Sequence, residues 1–229
     1  MILSPDGRVA LYFAPRPDDP LWSAGNRWLG RDPASCDALP QPALPDIAAI
    51  TADARRYGFH ATLKPPMRLR PGRSWDELHA RAAEIAAGVR AFALPPLRVV
   101  DLEGFLALGL SAPSQPLRGF VDACVAGVDD FRASPAADEL ARRGAMRLSP
   151  ERAAMLERWG YPDVFDTWVF HMTLTRRLTP AEAAIYQPAA EAHFAAVLNA
   201  PRMVQDLCLF VQPTADAPFM LTTRLPLRD

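Results

Sequence analysis

Cysteine and lysine are both scarce in this sequence. The chain has three cysteines, Cys36, Cys124 and Cys208, with no Cys-x-x-Cys spacing. This pattern argues against a disulfide framework and against a zinc ribbon, and it fits a reducing compartment. Lys64 is the only lysine, since the other basic residues are all arginines. Position 64 therefore reflects either an arginine-rich composition or a place that needs a compact ammonium group.

Long apolar runs and a large net charge are missing as well. No apolar run approaches the ~18 residues of a membrane span, and the first residues do not resemble a signal peptide. We therefore expect a cytoplasmic protein without a membrane partner. The formal net charge of −1 argues against a broad basic face for duplex nucleic acid, but not against a small anionic ligand. No glycine-rich phosphate loop is present, so an ATP-dependent enzyme is not expected.

The chain is long enough for one large domain or for two small lobes. It has 229 residues, half of them apolar, which permits a sizeable core. The clearest predicted helix begins at Ser74, because Ser74 and Glu77 have the spacing of a capping box. A helical insertion is expected at about 129–160, and hairpins are expected at about 97–110 and 203–225.

Two short segments share one pattern. Gly58-Phe59-His60-Ala61-Thr62-Leu63-Lys64 and Val169-Phe170-His171-Met172-Thr173-Leu174-Thr175 both alternate apolar and polar residues at the period of a β-strand. We predict strands at about 57–64 and 168–175, the first closed by Pro65-Pro66. In each strand a histidine and a threonine lie on one face, about 6.7 Å apart along the strand.

The order of elements repeats after each histidine. His60 and His171 are separated by about half the chain, and each is followed by strand, helix, strand and strand. A shared Pro-x-x-Val-x-Asp-Leu pattern begins at Pro96 and at Pro201. This period is too long for a solenoid and fits a duplicated lobe. We therefore predict one α+β domain over 1–229 that is bilobal, with two pseudo-twofold-related lobes, each an antiparallel sheet flanked by helices, around a central cleft.

Two imidazoles that face each other across a cleft suit general acid–base catalysis. A neutral ring accepts a proton while a charged ring donates one, and each partner typically contributes ~10²–10⁴-fold to a rate. His60 and His171 are the candidate catalytic pair. Thr62 and Thr173 are the candidate phosphate-binding residues, because their hydroxyls can donate hydrogen bonds to phosphate oxygens. The opposing interpretation is that both histidines are core or edge residues paired with their own threonines.

Other candidates have weaker support. Lys64, Tyr57 and Tyr12 are candidate substrate contacts, with a surface lysine and ordinary core aromatic side chains as the alternatives. His79 and His193 are predicted to lie on helix surfaces. No pair of histidines has the i, i+3 or i, i+4 spacing of a metal site, so no metal ligands are predicted.

The motif segments resemble those of a known superfamily. Arg56-Tyr57-Gly58-Phe59-His60-Ala61-Thr62-Leu63-Lys64-Pro65-Pro66 and Phe170-His171-Met172-Thr173-Leu174-Thr175 are similar to the paired His-x-Thr-x motifs of the two-histidine (2H) phosphoesterases. That superfamily includes 2′,5′ RNA ligase-like proteins and cyclic nucleotide phosphodiesterases, and the likeness is strongest to the branch found with carbon–phosphorus lyase genes. It implies a bilobal α+β fold, a metal-free mechanism without a cofactor, and the two His–Thr pairs as the site.

The resemblance and the residues together predict a phosphoric diester hydrolase. We expect a metal-independent, monomeric 2H phosphodiesterase whose ligand is a small cyclic or linear phosphodiester, or a phosphorylated sugar or nucleotide. The phosphonate association implies a ribosyl cyclic phosphate or an alkylphosphonate ester. Two alternatives use the same cleft: a non-catalytic binder of nucleotides or RNA ends, and a 2′,5′-ligase-like enzyme. A third is a structural subunit of a phosphonate-processing assembly, in which the site is vestigial.

Overall fold

A computed structural model describes the fold for residue 4 and for residues 6–134 and 148–229. The strands of this part of the chain are β1 (Arg8–Phe13), β2 (Ala61–Met67), β3 (Phe92–Leu94), β4 (Leu97–Leu102), β5 (Phe105–Leu110), β6 (Met172–Arg177), β7 (Arg202–Val204), β8 (Asp206–Gln212) and β9 (Met220–Pro226). Its α-helices are α1 (Pro20–Leu29), α2 (Ile47–Ile50), α3 (Ala52–Tyr57), α4 (Trp75–Gly88), α5 (Gln115–Gly127), α6 (Pro150–Trp159) and α7 (Pro180–Leu198). Short 3₁₀ turns lie at Asp129–Phe131 and Phe165–Thr167.

Two antiparallel sheets form the frame of the molecule. The four-stranded sheet has the order β2-β1-β8-β9, and the three-stranded sheet has the order β4-β5-β6. A short antiparallel ladder pairs β3 with β7. Helices pack on these sheets, so the predicted α+β class is confirmed.

Each sheet combines strands from both halves of the sequence. β2, which follows His60, pairs with β1, and the β8–β9 hairpin from the second half completes that sheet. β6, which follows His171, pairs with β5 of the β4–β5 hairpin from the first half. The predicted order of elements is present, but the two sheets are not successive halves of the chain, because each hairpin joins the other half's histidine strand.

The shared Pro-x-x-Val-x-Asp-Leu pattern does not mark equivalent positions. Asp101 lies near the end of β4, where its carboxylate accepts a hydrogen bond from the Gly104 N–H at 2.6 Å in the hairpin turn. Asp206 begins β8 and is buried, with Arg16 and Arg224 each 3.7 Å from its carboxylate. Asp101 therefore stabilises a turn, whereas Asp206 pairs with two arginines. The shared sequence pattern does not mark equivalent positions of a structural repeat.

The histidine strands begin later than predicted. β2 starts at Ala61 and β6 at Met172, so each histidine lies immediately before its strand. Pro65-Pro66 does not close β2, which continues to Met67. β2 is an edge strand. Proline has no backbone N–H, and in an edge strand its nitrogen can face away from the neighbouring strand, so no hydrogen bond of the sheet is lost.

Helix starts follow the capping signals of the sequence. At α4 the Ser74 hydroxyl accepts from the Glu77 N–H at 3.2 Å, and the Glu77 carboxylate accepts from the Ser74 N–H at 2.7 Å. This helix ends at Gly88, and strand β3 begins four residues later, at Phe92. In the segment predicted as a helical insertion, the structure has the 3₁₀ turn after α5 and helix α6, and residues 135–147 lie outside the described part.

The two faces of β1 serve different clusters. Val9, Leu11 and Phe13 join the main core with apolar residues of the helices and of the other sheet. A fully buried aliphatic or aromatic side chain contributes roughly 1.5–3 kcal/mol, so this core dominates the stability. Tyr12 lies on the opposite face, in a smaller cluster that also contains Phe210 and other buried residues. No helix in the described ranges is long and apolar enough to cross a membrane.

Candidate active site

The imidazole of His60 is held by its own chain. Its Nδ1 lies 2.9 Å from the carbonyl oxygen of Gly58, and its Nε2 lies 3.3 Å from the Thr62 hydroxyl oxygen. A carbonyl oxygen accepts only, so the neutral ring carries its proton on Nδ1 and has its lone pair on Nε2. Gly58 ends α3 at a φ of 84°, a conformation that favours glycine. The turn between α3 and β2 therefore sets the tautomer of His60.

His171 repeats this arrangement. Its Nδ1 lies 3.0 Å from the carbonyl oxygen of Val169, again two residues earlier in the chain. The edge of the Phe105 ring packs against it, with ring centroids 5.9 Å apart and planes at 68°. Both imidazoles thus use Nδ1 to bind their own backbone, which leaves each Nε2 for proton transfer.

The pKa of His60 depends on its burial and on its neighbours. Burial lowers the pKa of His60 to about 3, the hydrogen bond with Gly58 opposes this effect, and a positive charge on His171 adds to it. A charge acts in this way only over a short distance in a protein. The charge of His171 therefore reaches His60, and the low pKa of His60 keeps its imidazole neutral at pH 7.

A hydrogen bond between the two motif segments fixes their spacing. The indole Nε1–H of Trp168 donates to the carbonyl oxygen of Thr62 at 2.9 Å. Trp168 lies three residues before His171, and Thr62 lies two residues after His60. The bond therefore ties the backbone of one motif to a buried side chain of the other.

Both predicted phosphate-binding threonines are half-buried on paired strands. Thr62 lies opposite Tyr12 in the ladder of β2 with β1, and Thr173 lies opposite Ala107 in the ladder of β6 with β5. Within the described part of the chain, the Thr173 hydroxyl has no hydrogen-bond partner. It is thus available to a ligand.

Two predicted aromatic contacts border His60. The ring of Tyr12 stacks on the imidazole, with centroids 3.6 Å apart and planes at 17°. The ring of Tyr57, at the end of α3 rather than on a strand, lies 6.5 Å from the imidazole and stacks on Phe219 at 5.1 Å. Both tyrosines therefore pack around His60, but the expectation that Tyr12 contacts a substrate is corrected here, because Tyr12 is only 1% exposed.

The Lys64 side chain does not lie on the same side of β2 as Thr62. Leu11 lies opposite Lys64 and Tyr12 lies opposite Thr62, so one step along β1 spans two steps along β2. This β-bulge breaks the alternation of the strand. Lys64 is only 2% exposed, and its ammonium group donates to Asp129 Oδ1 at 3.1 Å and to the Val125 carbonyl at 3.2 Å. The expectation that Lys64 is a substrate contact is corrected here, because its charge is already paired inside the protein.

Sequence patterns gave no sign of two further residues beside Tyr12. Burial raises the pKa of Tyr12 well above its usual value, charges on Tyr57 and Tyr161 add to this, and Arg8 opposes it. Arg8 donates to the Gln212 side-chain oxygen at 2.6 Å, and its guanidinium lies 5.3 Å from the Phe219 centroid. Arg8 begins an ordinary strand and Tyr161 follows a helix, so neither stands out locally.

The remaining histidines lie elsewhere. His79 packs near Trp75 on α4, with ring centroids 6.2 Å apart. His193 is not a solvent-facing residue, because its Nε2 lies 2.9 Å from the Ala24 carbonyl oxygen and its ring packs on Trp28. No three His, Cys, Asp or Glu side chains in the described ranges are grouped as metal ligands would be.

The chain matches a family model and curated relatives. The family model DUF1045, described as a protein of unknown function, matches residues 62–220. A ribose 1,5-bisphosphate phosphokinase PhnN of Janthinobacterium sp. (strain Marseille) is 41% identical over 228 residues, which are 96% of this chain and 50% of the relative. The PhnN of Laribacter hongkongensis (strain HLHK9) is 36% identical over 219 residues, 93% of this chain and 50% of the relative. The chain spans about half the length of the curated relatives it matches.

A solved structure of E. coli LigT complexed with 3′-AMP aligns with 98% of this chain and 99% of its own, at 14% identity and a TM-score of 0.45. The match to the family model covers most of the described site, from Thr62 through the second His-x-Thr motif. The chain belongs to the DUF1045 family of proteins of unknown function.

Proposed function

We propose that this protein is a metal-independent phosphodiesterase that hydrolyses a small cyclic or linear phosphodiester. One observation carries the proposal: His60 and His171 bind the carbonyl two residues earlier through Nδ1 in the same way. Each ring therefore has its Nε2 on the side away from the backbone, that of His60 lies beside the Thr62 hydroxyl, and a positive charge on His171 contributes to the low pKa of His60.

The low pKa of His60 supports a role as the base in this mechanism. His60 is neutral at pH 7, so its Nε2 accepts a proton from the attacking water. The water oxygen forms a bond to phosphorus while the ester P–O bond on the opposite side breaks. His171, in its protonated form, gives its Nε2 proton to the leaving oxygen. Thr62 and Thr173 donate hydrogen bonds to the non-bridging oxygens, where negative charge accumulates.

The names of the relatives support a phosphorylated ribose as substrate. Both are named for a phosphokinase that acts on ribose 1,5-bisphosphate, and both are about twice as long as the part that matches. We do not extend the kinase reaction to this chain, because its sequence has no G-x-x-x-x-G-K-[ST] phosphate loop. A ribosyl cyclic phosphate unites the predicted chemistry with the ribose phosphate of those names and with phosphonate metabolism.

Turnover by alanine variants tests the proposal. The purified protein is assayed with a 2′,3′-cyclic nucleotide and with a ribose cyclic phosphate, with and without EDTA. We expect His60→Ala and His171→Ala each to lower kcat by about 10²–10⁴-fold, while His79→Ala and EDTA have no effect. Unchanged turnover in both active-site variants would refute the assignment.

A second candidate function is non-catalytic binding of nucleotides. The stacked pair of Tyr57 and Phe219 beside His60 supports it, because flat aromatic side chains stack on bases. The same assay separates the two functions, since a binder protects the 2′,3′-cyclic nucleotide and returns it uncut. Appearance of the ring-opened monophosphate in proportion to enzyme concentration eliminates the second candidate.

A further inference from the structure

A pocket with four arginines in its lining includes neither His60 nor His171. It has a volume of about 570 Å³, which is the size of a small-molecule site. It is formed by the loop after β2, the exposed side of α4, the turn after α5 and the end of α6. The lining residues used here are Arg70, Arg81, Asp129, Arg132, Arg158 and Trp159.

The carboxylates of this pocket are already engaged. Asp129 lies 3.1 Å from the Lys64 ammonium, 2.8 Å from Arg132 and 3.2 Å from Arg158. One carboxylate therefore faces three cations, and it balances only one of their charges. The neighbouring Asp130 pairs with Arg73 at 2.6 Å. The pocket thus keeps an excess of positive charge in a chain whose formal net charge is −1.

Two exposed arginines of the pocket have no strong polar partner among the described residues. The Arg70 side chain is exposed and makes no hydrogen bond or ion pair with any residue of the described part of the chain. Arg81 has only a surface contact, with Glu84 at 3.0 Å. Exposed pairs of this kind contribute little, so both guanidinium groups are free to bind an anion. Arginine suits this role because its planar fork matches two phosphate oxygens.

The opposite wall offers a flat apolar surface. The guanidinium of Arg158 lies over the Trp159 ring at 4.2 Å from its centroid, and Trp159 packs on Phe165 at 4.7 Å. A stacked arginine keeps its edge donors available while its face is covered. A ligand with a phosphate group and a compact organic body would satisfy both walls.

We propose that this pocket is a second ligand site, which binds a small phosphorylated metabolite through Arg70, Arg81 and Arg158. Its residues are separate from the histidine pair and its threonines. Lys64 connects the two places, because it lies on the strand that begins after His60 and its ammonium group contacts Asp129 at the pocket. A ligand here contacts the same ion-pair network that holds β2, and so it is placed to affect the histidine site without entering it.

Isothermal titration with AMP tests the proposal. We expect the wild-type protein to bind two molecules, and Arg70→Gln/Arg81→Gln to lose one site or to bind it at least about tenfold more weakly. Arg27→Gln/Arg90→Gln, which removes two exposed arginines elsewhere, serves as the matched control and should keep both sites. These four side chains are exposed, and thermal melting confirms that each variant folds.

Two results would overturn this inference. One is unchanged stoichiometry and affinity for AMP in Arg70→Gln/Arg81→Gln. The other is single-stranded RNA binding that depends on the same arginines and is at least about 100-fold tighter than AMP binding, which would assign the pocket to a polymer. The outcome is independent of turnover, because His60→Ala should abolish hydrolysis and still retain the AMP site that requires Arg70 and Arg81.

Discussion

The ring of Tyr12 lies flat on the imidazole of His60, with centroids 3.6 Å apart and planes at 17°. Tyr12 is itself buried beside Phe210, at 4.9 Å between centroids. The imidazole is therefore held on its face by an aromatic side chain that cannot move away, while Gly58 holds its Nδ1 edge. Orientation of the proposed base depends on packing as much as on hydrogen bonding.

Removal of the Tyr12 ring should separate these two contributions. Tyr12→Ala leaves a cavity against Phe210 and releases one face of His60, so we expect a loss of about 3–5 kcal/mol in the free energy of unfolding and a marked fall in kcat. Tyr12→Phe keeps the stacked ring and should retain kcat to within about threefold. Urea denaturation and steady-state kinetics provide the two measurements. Equal kcat in both variants would show that stacking does not position the imidazole.

The Trp168 hydrogen bond should matter more for turnover than for folding. Trp168→Phe removes the donor to the Thr62 carbonyl, which costs about 1 kcal/mol of stability and loosens the spacing of the two motifs. We expect kcat to fall several-fold with little change in KM. Trp75→Phe, on α4 away from the site, is the control. A change confined to KM would contradict a positioning role.

Acid should destabilise the fold through His60. Burial lowers the pKa of His60 to about 3 from the usual 6.5. Between these pH values the unfolded chain binds a proton that the folded chain does not, so the free energy of unfolding falls as pH decreases from 6.5, by at most about 1.4 kcal/mol per pH unit. Above pH 6.5 this contribution is constant.

His60→Gln should reduce the pH dependence of stability over that range, and urea denaturation between pH 4 and 7 measures it. His79→Gln is the matched control. If the wild type and His60→Gln have parallel stability profiles, the imidazole does not resist protonation in the fold. The same low pKa predicts that kcat/KM is maintained down to about pH 4, because the proposed base becomes protonated only near pH 3.

The buried pair of Lys64 and Asp129 should respond asymmetrically to mutation. Asp129→Asn leaves the Lys64 ammonium buried without a counter-ion, which should cost about 3–5 kcal/mol. Lys64→Met should cost less, because Asp129 keeps Arg132 and Arg158 as partners. Urea denaturation of both variants checks the order. Normal stability of Lys64→Met with a large loss of kcat would instead restore the role at the active site that the sequence suggested for Lys64.

The close contact of α1 with the first motif predicts a severe effect at Gly25. A Cβ atom there would lie 2.1 Å from the Phe59 ring, and Phe59 directly precedes His60. Gly25→Ala should therefore destabilise the fold by about 1–3 kcal/mol. Gly119→Ala, where a Cβ atom meets nothing within 4 Å on helix α5, should stabilise it by about 0.5–1 kcal/mol. Similar melting temperatures for the two variants would contradict the contact.

Local patterns predicted the histidine–threonine pairs because the relevant spacing lies within one short segment. His60 and Thr62 share a face as period-two alternation requires, and their ring and hydroxyl are 3.3 Å apart. The same rule failed two residues later, at Lys64, because the bulge arises from pairing with β1, which is distant in the sequence. The capping signal at Ser74 located α4 for the same local reason.

Local sequence patterns did not predict which strands pair with each other. The repeat predicted the kind and order of elements after each histidine, but the partner of each hairpin is decided by packing across the whole molecule. The arginine pocket illustrates the same limit, because Arg70, Arg81, Asp129 and Arg158 come from four separate segments. Sequence neighbours of these residues give no sign that they meet.

The exchange of hairpins between the halves affects how the protein assembles during synthesis. When β2 leaves the ribosome its only partner in the sheet is β1, and a two-stranded ribbon alone is marginal in water. Its sheet is complete only after β8 and β9, at Asp206–Gln212 and Met220–Pro226, have been made. The nascent chain therefore holds an incomplete sheet until β8 and β9 have been made, and a chain that stops before residue 206 lacks half of the sheet on which the first histidine motif depends.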